Sequence, residues 1–175
     1  KSNNNKDNKT DEIIKHADIR RSLLNMKSII QGQRSLAFWL SQQIDVSLNH
    51  TNEKIRKNAE DLVSLMTPVV KSFFTDMGTE ITNEAIQVFG GYGYTKDQGI
   101  EQLYRDNRIT PIYEGTNSVQ AIDLVFRKVL NNKILFNFIS IVKEEIKINQ
   151  ETSELKEFSK MLSNNLKLLE DFSIL

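Results

Sequence analysis

The segment TPIYEGTNSVQ, Thr110–Gln120, places a single glutamate between a tyrosine and a glycine. A carboxylate flanked by aromatic and apolar groups can be shielded from water, which makes it a stronger base than a solvated one. Glu114 is therefore a candidate general base. The same residue is also compatible with an ordinary solvated loop position, and the residues alone leave both interpretations open.

Other polar and glycine-rich positions give weaker signals. The cluster FGGYGY, Phe89–Tyr94, lacks the Gly-Lys-Ser/Thr ending of a phosphate-binding loop and is typical of a helix end followed by a tight turn. Arg105 and Arg108 share one helical face, as expected of a salt-bridged surface. Neither His16 nor His50 has a suitable set of metal-ligating partners at helical spacing, so no metal site is predicted.

The composition excludes several classes of function. The chain has 175 residues, 39% of them hydrophobic, with 23 Lys+Arg against 23 Asp+Glu. This neutral balance gives no support for binding to nucleic acid or to an anionic membrane. No cysteine is present, which excludes disulfides, thiolate metal sites and a cysteine nucleophile. No apolar run is long enough to span a bilayer. We therefore expect a soluble cytoplasmic protein, and the absence of an initial Met suggests a fragment of a longer chain.

The elements that position Glu114 are predicted to be helices. Only seven glycines and two prolines occur in 175 residues, and the apolar residues recur at helical spacing, so an all-α protein is expected. One helix is predicted over residues 18–48. A second follows from residue 62 to the glycine cluster, with a kink near Thr67 or a helix start at Pro68.

A shorter helix is predicted over residues 98–108 and ends at Thr110-Pro111, because the residue before proline is disfavoured in the α region. Thr116 or Asn117 is expected to cap the next helix. From residue 131 onward, two amphipathic segments without glycine or proline predict an added helical hairpin. The predicted organisation is a flexible polar tail at 1–12, a helical bundle at 13–130 and a C-terminal helical extension at 131–175.

Three motifs occur in order between Gln87 and Gln120: QVFGGYGY, LYRDNRI and IYEGT. Together they resemble the C-terminal signature of the flavin-dependent acyl-CoA dehydrogenases. HADIRRSLL, LMTPVVKSFFTDMG and YEGTNSVQAIDLVFRK are similar to the branch that includes the 3-methylmercaptopropionyl-CoA dehydrogenase-like enzymes. The resemblance implies an up-and-down helical bundle that packs on two further domains, and an extra C-terminal helical segment.

The resemblance also implies a role for the loop. Glu114 matches the family's catalytic base, which removes the α-proton of an acyl-CoA thioester while the β-hydrogen leaves as hydride to flavin. Tyr113 and Gly115 match positions that line the acyl pocket. Pro111, which stands where many relatives have a polar residue, is expected to stiffen the approach to Glu114.

FAD is the implied cofactor. Gln87, Gly90 and Gly91 match the segment that reaches the FAD of the neighbouring subunit, and Thr116 and Ser118 match positions that contact FAD of the same subunit. The implied partners are an acyl-CoA substrate, an electron-transferring flavoprotein and further copies of the chain, as a homodimer or homotetramer. The resemblance weakly favours a medium, branched or sulfur-containing acyl group. The chain by itself is expected to be inactive, because most of the flavin and thioester sites lie in other domains.

Two alternatives stay open. One is an acyl-CoA oxidase-like relative that passes electrons to oxygen, since the motifs do not distinguish the electron acceptor. The other is a helical assembly module that retains the fold without catalysis.

Overall fold

A computed structural model describes residues 10–130 and 134–173. Every regular element in these two ranges is helical, which confirms the expected all-α class. The α-helices are Ala17–Asn49 (α1), Glu53–Phe89 (α2), Ile100–Arg108 (α3), Asn117–Ile122 (α4), Ile134–Gln150 (α5) and Lys156–Ser173 (α6). Short 3-10 turns lie at Ile13–Lys15, Gly90–Tyr94 and Lys96–Gln98, and a π-helix at Asp123–Val129 continues α4. Most of the predicted polar tail, residues 1–9, lies outside the described residues.

Helix α2 runs without interruption through Pro68, so the predicted helix start at that proline is wrong. Proline lacks the N–H that would bond the carbonyl four residues earlier, and it usually destabilises a helix interior. Here Pro68 is buried together with Leu65 and Met66 of the same helix. Tertiary packing therefore outweighs the local cost. The helix instead begins at Glu53, where the Asn52 side chain accepts hydrogen bonds from the amides of the first turn.

The described chain divides into two compact units. The first unit contains the chain up to Ala37 and Phe73–Tyr113, and the second contains Phe38–Ser72 and the chain from Glu114 onward. In the first unit the Asn107 side chain of α3 donates hydrogen bonds to Thr79 Oγ1 at 2.9 Å and to the Thr75 carbonyl at 3.4 Å. These bonds hold α3 against α2, with Gly78 giving the room for the amide.

The second unit has a buried apolar core contributed by α2, α5 and α6. Its members are Leu65, Leu135, Ile139, Ile146 and Leu166. Leu124 and Val129 of the π-helix pack against this core. Helices α5 and α6 form the predicted hairpin, and their core residues lie in the same unit as Leu65 of α2. The predicted division into a helical bundle at 13–130 and a C-terminal extension at 131–175 stays a prediction.

None of the helices within 10–130 and 134–173 has the length and apolar character needed to cross a membrane. Over the same ranges, no group of three or more His, Cys, Asp or Glu residues is arranged to hold a metal ion.

Candidate functional site

The loop that carries Glu114 begins where α3 ends. The Thr110 amide and hydroxyl both donate to the Asn107 carbonyl, at 2.9 and 2.8 Å, and the Tyr113 amide donates to the Ile109 carbonyl at 3.1 Å. Thr110 thus satisfies a carbonyl that the helix end leaves without an intrahelical partner. The approach to Glu114 is therefore a hydrogen-bonded turn.

Glu114 itself has a left-handed backbone, with φ of 52°, and the next residue, Gly115, has φ of 86°. Glycine adopts this region freely, whereas a residue with a Cβ is strained there. Glu114 is the one non-glycine residue with positive φ in the described chain. Such strain persists when surrounding groups over-determine the conformation, and it concentrates at functional positions.

The carbonyls of these two residues are both held by side chains of the second unit. Gln120 Nε2 donates to the Glu114 carbonyl at 3.0 Å. Lys71 Nζ donates to the Gly115 carbonyl at 2.8 Å and to Asn117 Oδ1 at 2.7 Å. Asn117 in turn donates from Nδ2 to the Ser72 carbonyl at 3.4 Å. Two successive peptide groups of the turn are therefore fixed from α4 and from α2.

Helix α4 begins directly after the turn. Thr116 is its cap, and its hydroxyl oxygen accepts a hydrogen bond from the Val119 amide at 3.4 Å. This confirms the first of the two residues predicted to cap the helix. Thr116 and Ser118 are both exposed, so their hydroxyls are accessible to a ligand.

The Glu114 side chain is exposed in this chain, and its apolar neighbours Ile112 and Tyr113 are 47% and 49% exposed. Removal of water from a carboxylate makes it a stronger base. The arrangement can present a carboxylate at a fixed point of the surface, and groups outside this chain would have to cover it. Its chemical capacity is proton acceptance from a molecule bound against that surface.

The glycine-rich cluster lies in the first unit as a 3-10 turn after α2. Gly90 has φ of 59°, and a Cβ added at Gly90 or Gly91 would meet no atom within 4 Å. Gln87 is exposed on the last turn of α2. Gly93 differs, because an added Cβ there would lie 2.7 Å from the Ile86 carbonyl oxygen. Gly93 is thus needed for packing, while Gly90 and Gly91 offer open backbone.

The predicted site residues are divided between the two units. Glu114, Gly115, Thr116 and Ser118 belong to the second unit. Tyr113, Gln87, Gly90 and Gly91 belong to the first unit. The roles assigned to these residues stay predictions.

Two polar residues outside the loop, His50 and Asp106, have structural contacts. The Asn52 amide donates to His50 Nδ1 at 3.0 Å, in the turn that precedes α2. Asp106 accepts a hydrogen bond from Gln102 within α3 at 2.6 Å.

Sequence reasoning missed Lys71 and Gln120. Gln120 lies six residues after Glu114, so the glycine at 115 followed by a helix start within the same short segment could have suggested it. Lys71 lies 44 residues before Gly115, and no local pattern links the two.

Comparison with known proteins bears on this site. Residues 3–129 match a family model described as the acyl-CoA dehydrogenase C-terminal domain. The chain is 41% identical over 120 residues to a 3-methylmercaptopropionyl-CoA dehydrogenase of Ruegeria pomeroyi, with 69% of this chain and 20% of that relative covered. It is 38% identical over 121 residues to a butyryl-CoA dehydrogenase of Syntrophomonas wolfei, and the match again covers 69% of this chain and 20% of that relative. These matches confirm the resemblance drawn from the motifs.

A solved structure, Caenorhabditis elegans ACDH-11 in complex with C11-CoA, is similar to this chain with a TM-score of 0.79 and 27% sequence identity. The similarity covers 88% of this chain and 26% of that chain. The chain spans about a fifth of the length of the curated relatives that it matches.

Proposed function

Since this chain belongs to the acyl-CoA dehydrogenase family and matches its C-terminal domain, we propose that it contributes the catalytic base for α,β-dehydrogenation of an acyl-CoA thioester. Glu114 is that base. The observation that carries the proposal is the left-handed backbone of Glu114, held in place by the Gln120 side chain. A strained residue that its neighbours hold firmly is characteristic of functional positions.

The proposed reaction divides the work between the chain and its cofactor. Glu114 takes the α-proton, the remaining electron pair becomes the α,β double bond, and the β-hydrogen departs with two electrons. The chemistry supplied by bound FAD is acceptance of that hydrogen and both electrons. The chain's own contribution is a carboxylate at a fixed point, on a backbone that does not have to reorganise during the reaction.

The residues present fit an FAD group. At Gly90 and Gly91 no atom lies within 4 Å of an added Cβ, so a ligand can approach the backbone there. The Thr116 oxygen accepts a hydrogen bond within the cap, which leaves the hydroxyl hydrogen available to a phosphate or ribose oxygen. Family resemblance assigns the glycines and Thr116 to two different FAD molecules, so the proposal does not require them to converge within one chain.

The relatives support a class of substrate. Two of these relatives are a 3-methylmercaptopropionyl-CoA dehydrogenase and a butyryl-CoA dehydrogenase, and the similar solved structure contains C11-CoA. We therefore propose an acyl-CoA thioester as substrate, an electron-transferring flavoprotein as electron acceptor, and a homodimer or homotetramer as the assembly. Hydrogen peroxide formation during turnover would identify oxygen as the acceptor instead.

The test is Glu114→Gln in the full-length protein, which removes the base and keeps nearly the same shape. Turnover with acyl-CoA is expected to fall by about 10²- to 10⁴-fold, the usual contribution of a positioned general base. Exchange of the substrate α-hydrogen with D₂O is expected to be lost in parallel. Glu144→Gln is the matched control, since Glu144 is an exposed glutamate of α5 in the same unit.

The flavin absorbance of both variants is measured first, so that loss of cofactor is not mistaken for loss of the base. Unchanged turnover in Glu114→Gln with normal flavin content would contradict the assignment.

A further inference from the structure

We propose that Lys71 is a positioning residue for the catalytic loop, which it holds by fixing the Gly115 peptide group. This inference rests on the proposed function of Glu114. Lys71 lies on α2, in the same compact unit as Glu114 and Gly115. It is half-buried, so its ammonium group lies beneath the turn instead of moving freely in solvent.

The contacts of the Lys71 ammonium define this role. It donates to the Gly115 carbonyl at 2.8 Å and to the side-chain carbonyl of Asn117 at 2.7 Å. Both acceptors lie within three residues of Glu114 on its C-terminal side. Hydrogen bonds from a charged donor are shorter and stronger than those between neutral groups. A neutral side chain at position 71 would hold the same peptide less firmly.

A strained turn needs support at more than one point. Gln120 fixes the carbonyl of Glu114 and Lys71 fixes that of Gly115, so the two peptide groups on either side of the Gly115 Cα are both held. Rotation about the φ and ψ angles of Gly115 is thereby prevented. Because glycine has wide conformational freedom, this is the joint at which the loop would otherwise move.

Fixing the Gly115 peptide group also restrains the backbone of Glu114, and with it the Cα–Cβ bond from which the carboxylate extends. A base displaced by about 1 Å can lose two orders of magnitude in rate. Lys71 thus acts on the reaction through Glu114, without contact with the substrate.

The test compares Lys71→Met with Lys128→Met in the full-length enzyme. Lys128 is a half-buried lysine of the same unit that donates to Ser64 Oγ at 2.6 Å, away from the turn. Each change removes one ammonium and keeps the aliphatic volume. Lys71→Arg keeps the charge and is the conservative variant.

Two measurements are made on each variant. Hydrogen–deuterium exchange of the peptide that spans the turn, residues 113–120, is followed at its hydrogen-bonded amides of Tyr113, Val119 and Gln120. It is expected to rise in Lys71→Met and to stay at the wild-type level in Lys128→Met. The kcat of Lys71→Met is expected to fall by about ten- to a hundredfold, with a much smaller change in KM, because the base is misplaced while the acyl-CoA still binds. Lys71→Arg should recover part of the lost kcat.

The outcomes distinguish the positioning role of Lys71 from the assignment of Glu114 as the base. Wild-type exchange at the turn in Lys71→Met would overturn the positioning role, whatever the rate. Equal loss of kcat in Lys71→Met and Lys128→Met would mean that Lys71 is a general stabilising contact. That result would also overturn the positioning role. If Glu114→Gln keeps full turnover while Lys71→Met still loosens the turn, Lys71 positions the loop, and the assignment of the base is what fails.

Discussion

The side-chain amide of Asn107 lies directly over Gly78, where a Cβ added to the glycine would be 2.5 Å from Asn107 Oδ1. The same amide bonds to Thr79 Oγ1 at 2.9 Å. A single glycine on α2 therefore permits the contact that holds α3, and α3 leads into the loop that contains Glu114.

Gly78→Ala is expected to push the Asn107 amide out of its place. Overpacking of a close contact typically costs about 1–3 kcal/mol, here with loss of the hydrogen bonds to α2 as well. Chemical denaturation of the full-length protein measures the loss of stability.

A double-mutant cycle shows whether this contact is the cause. In an Asn107→Ala background, Gly78→Ala is expected to cost much less, since the clashing amide has been removed. Additive effects of the two substitutions would contradict the explanation.

Gly115→Ala is expected to destabilise the turn. Alanine at φ of 86° is strained by about 1–2 kcal/mol, and its Cβ would lie 3.2 Å from Gln120 Nε2, which holds the Glu114 carbonyl. Both thermal stability and turnover should fall. Gly32→Ala provides the contrast, because Gly32 is an exposed residue of α1 where an added Cβ meets nothing within 4 Å. That substitution should stabilise the protein by about 0.5–1 kcal/mol.

Glu114→Asn is expected to separate stability from activity. Asparagine tolerates the left-handed region better than most residues, so the melting temperature should be maintained or rise slightly. Turnover should fall by at least about a hundredfold, because no carboxylate remains to accept the proton. A variant that melts earlier and keeps its turnover would contradict both parts.

Ile139→Ala tests whether the hairpin is part of the second unit's core. Ile139 is 3% exposed and packs in the buried cluster with Leu65 of α2, so truncation should cost about 2–5 kcal/mol. Ile148 on the same helix is 67% exposed, and Ile148→Ala should change stability by less than about 0.5 kcal/mol. A loss for Ile139→Ala as small as that for Ile148→Ala would mean that this core is not cooperative with the rest of the chain.

Helical periodicity predicted the main elements because it reports which face of each segment is buried. The C-terminal end of α3 and the start of α4 follow from local chemistry, namely the proline at 111 and the threonine at 116, whereas the helix predicted from residue 98 begins at Ile100. The predicted helix start at Pro68 is wrong because the prediction considers only the N–H that proline lacks. Burial of that proline among apolar residues depends on tertiary packing, which a local pattern does not contain.

The candidate site likewise has one feature that the sequence predicts and others that it does not. The motif predicts Glu114 as a candidate base, but its left-handed backbone has no marker in the residue type, since glutamate rarely adopts that conformation. The bond from Lys71 joins residues 44 positions apart. Contacts at such a separation form only when the helices pack together, so the pattern of a local segment does not predict them.

The π-helix has a consequence for the permitted length of the chain. Its wide turn is closed by the Leu130 amide, which donates to the Val125 carbonyl at 2.9 Å. Leu124 and Val129 lie five positions apart yet pack on one core, although five steps of an α-helix would rotate them by about 140°. Four steps would bring them back to within about 40°. A relative that is one residue shorter between these two positions would therefore keep both on the core as an ordinary α-helix, so the segment can absorb a one-residue deletion without loss of register.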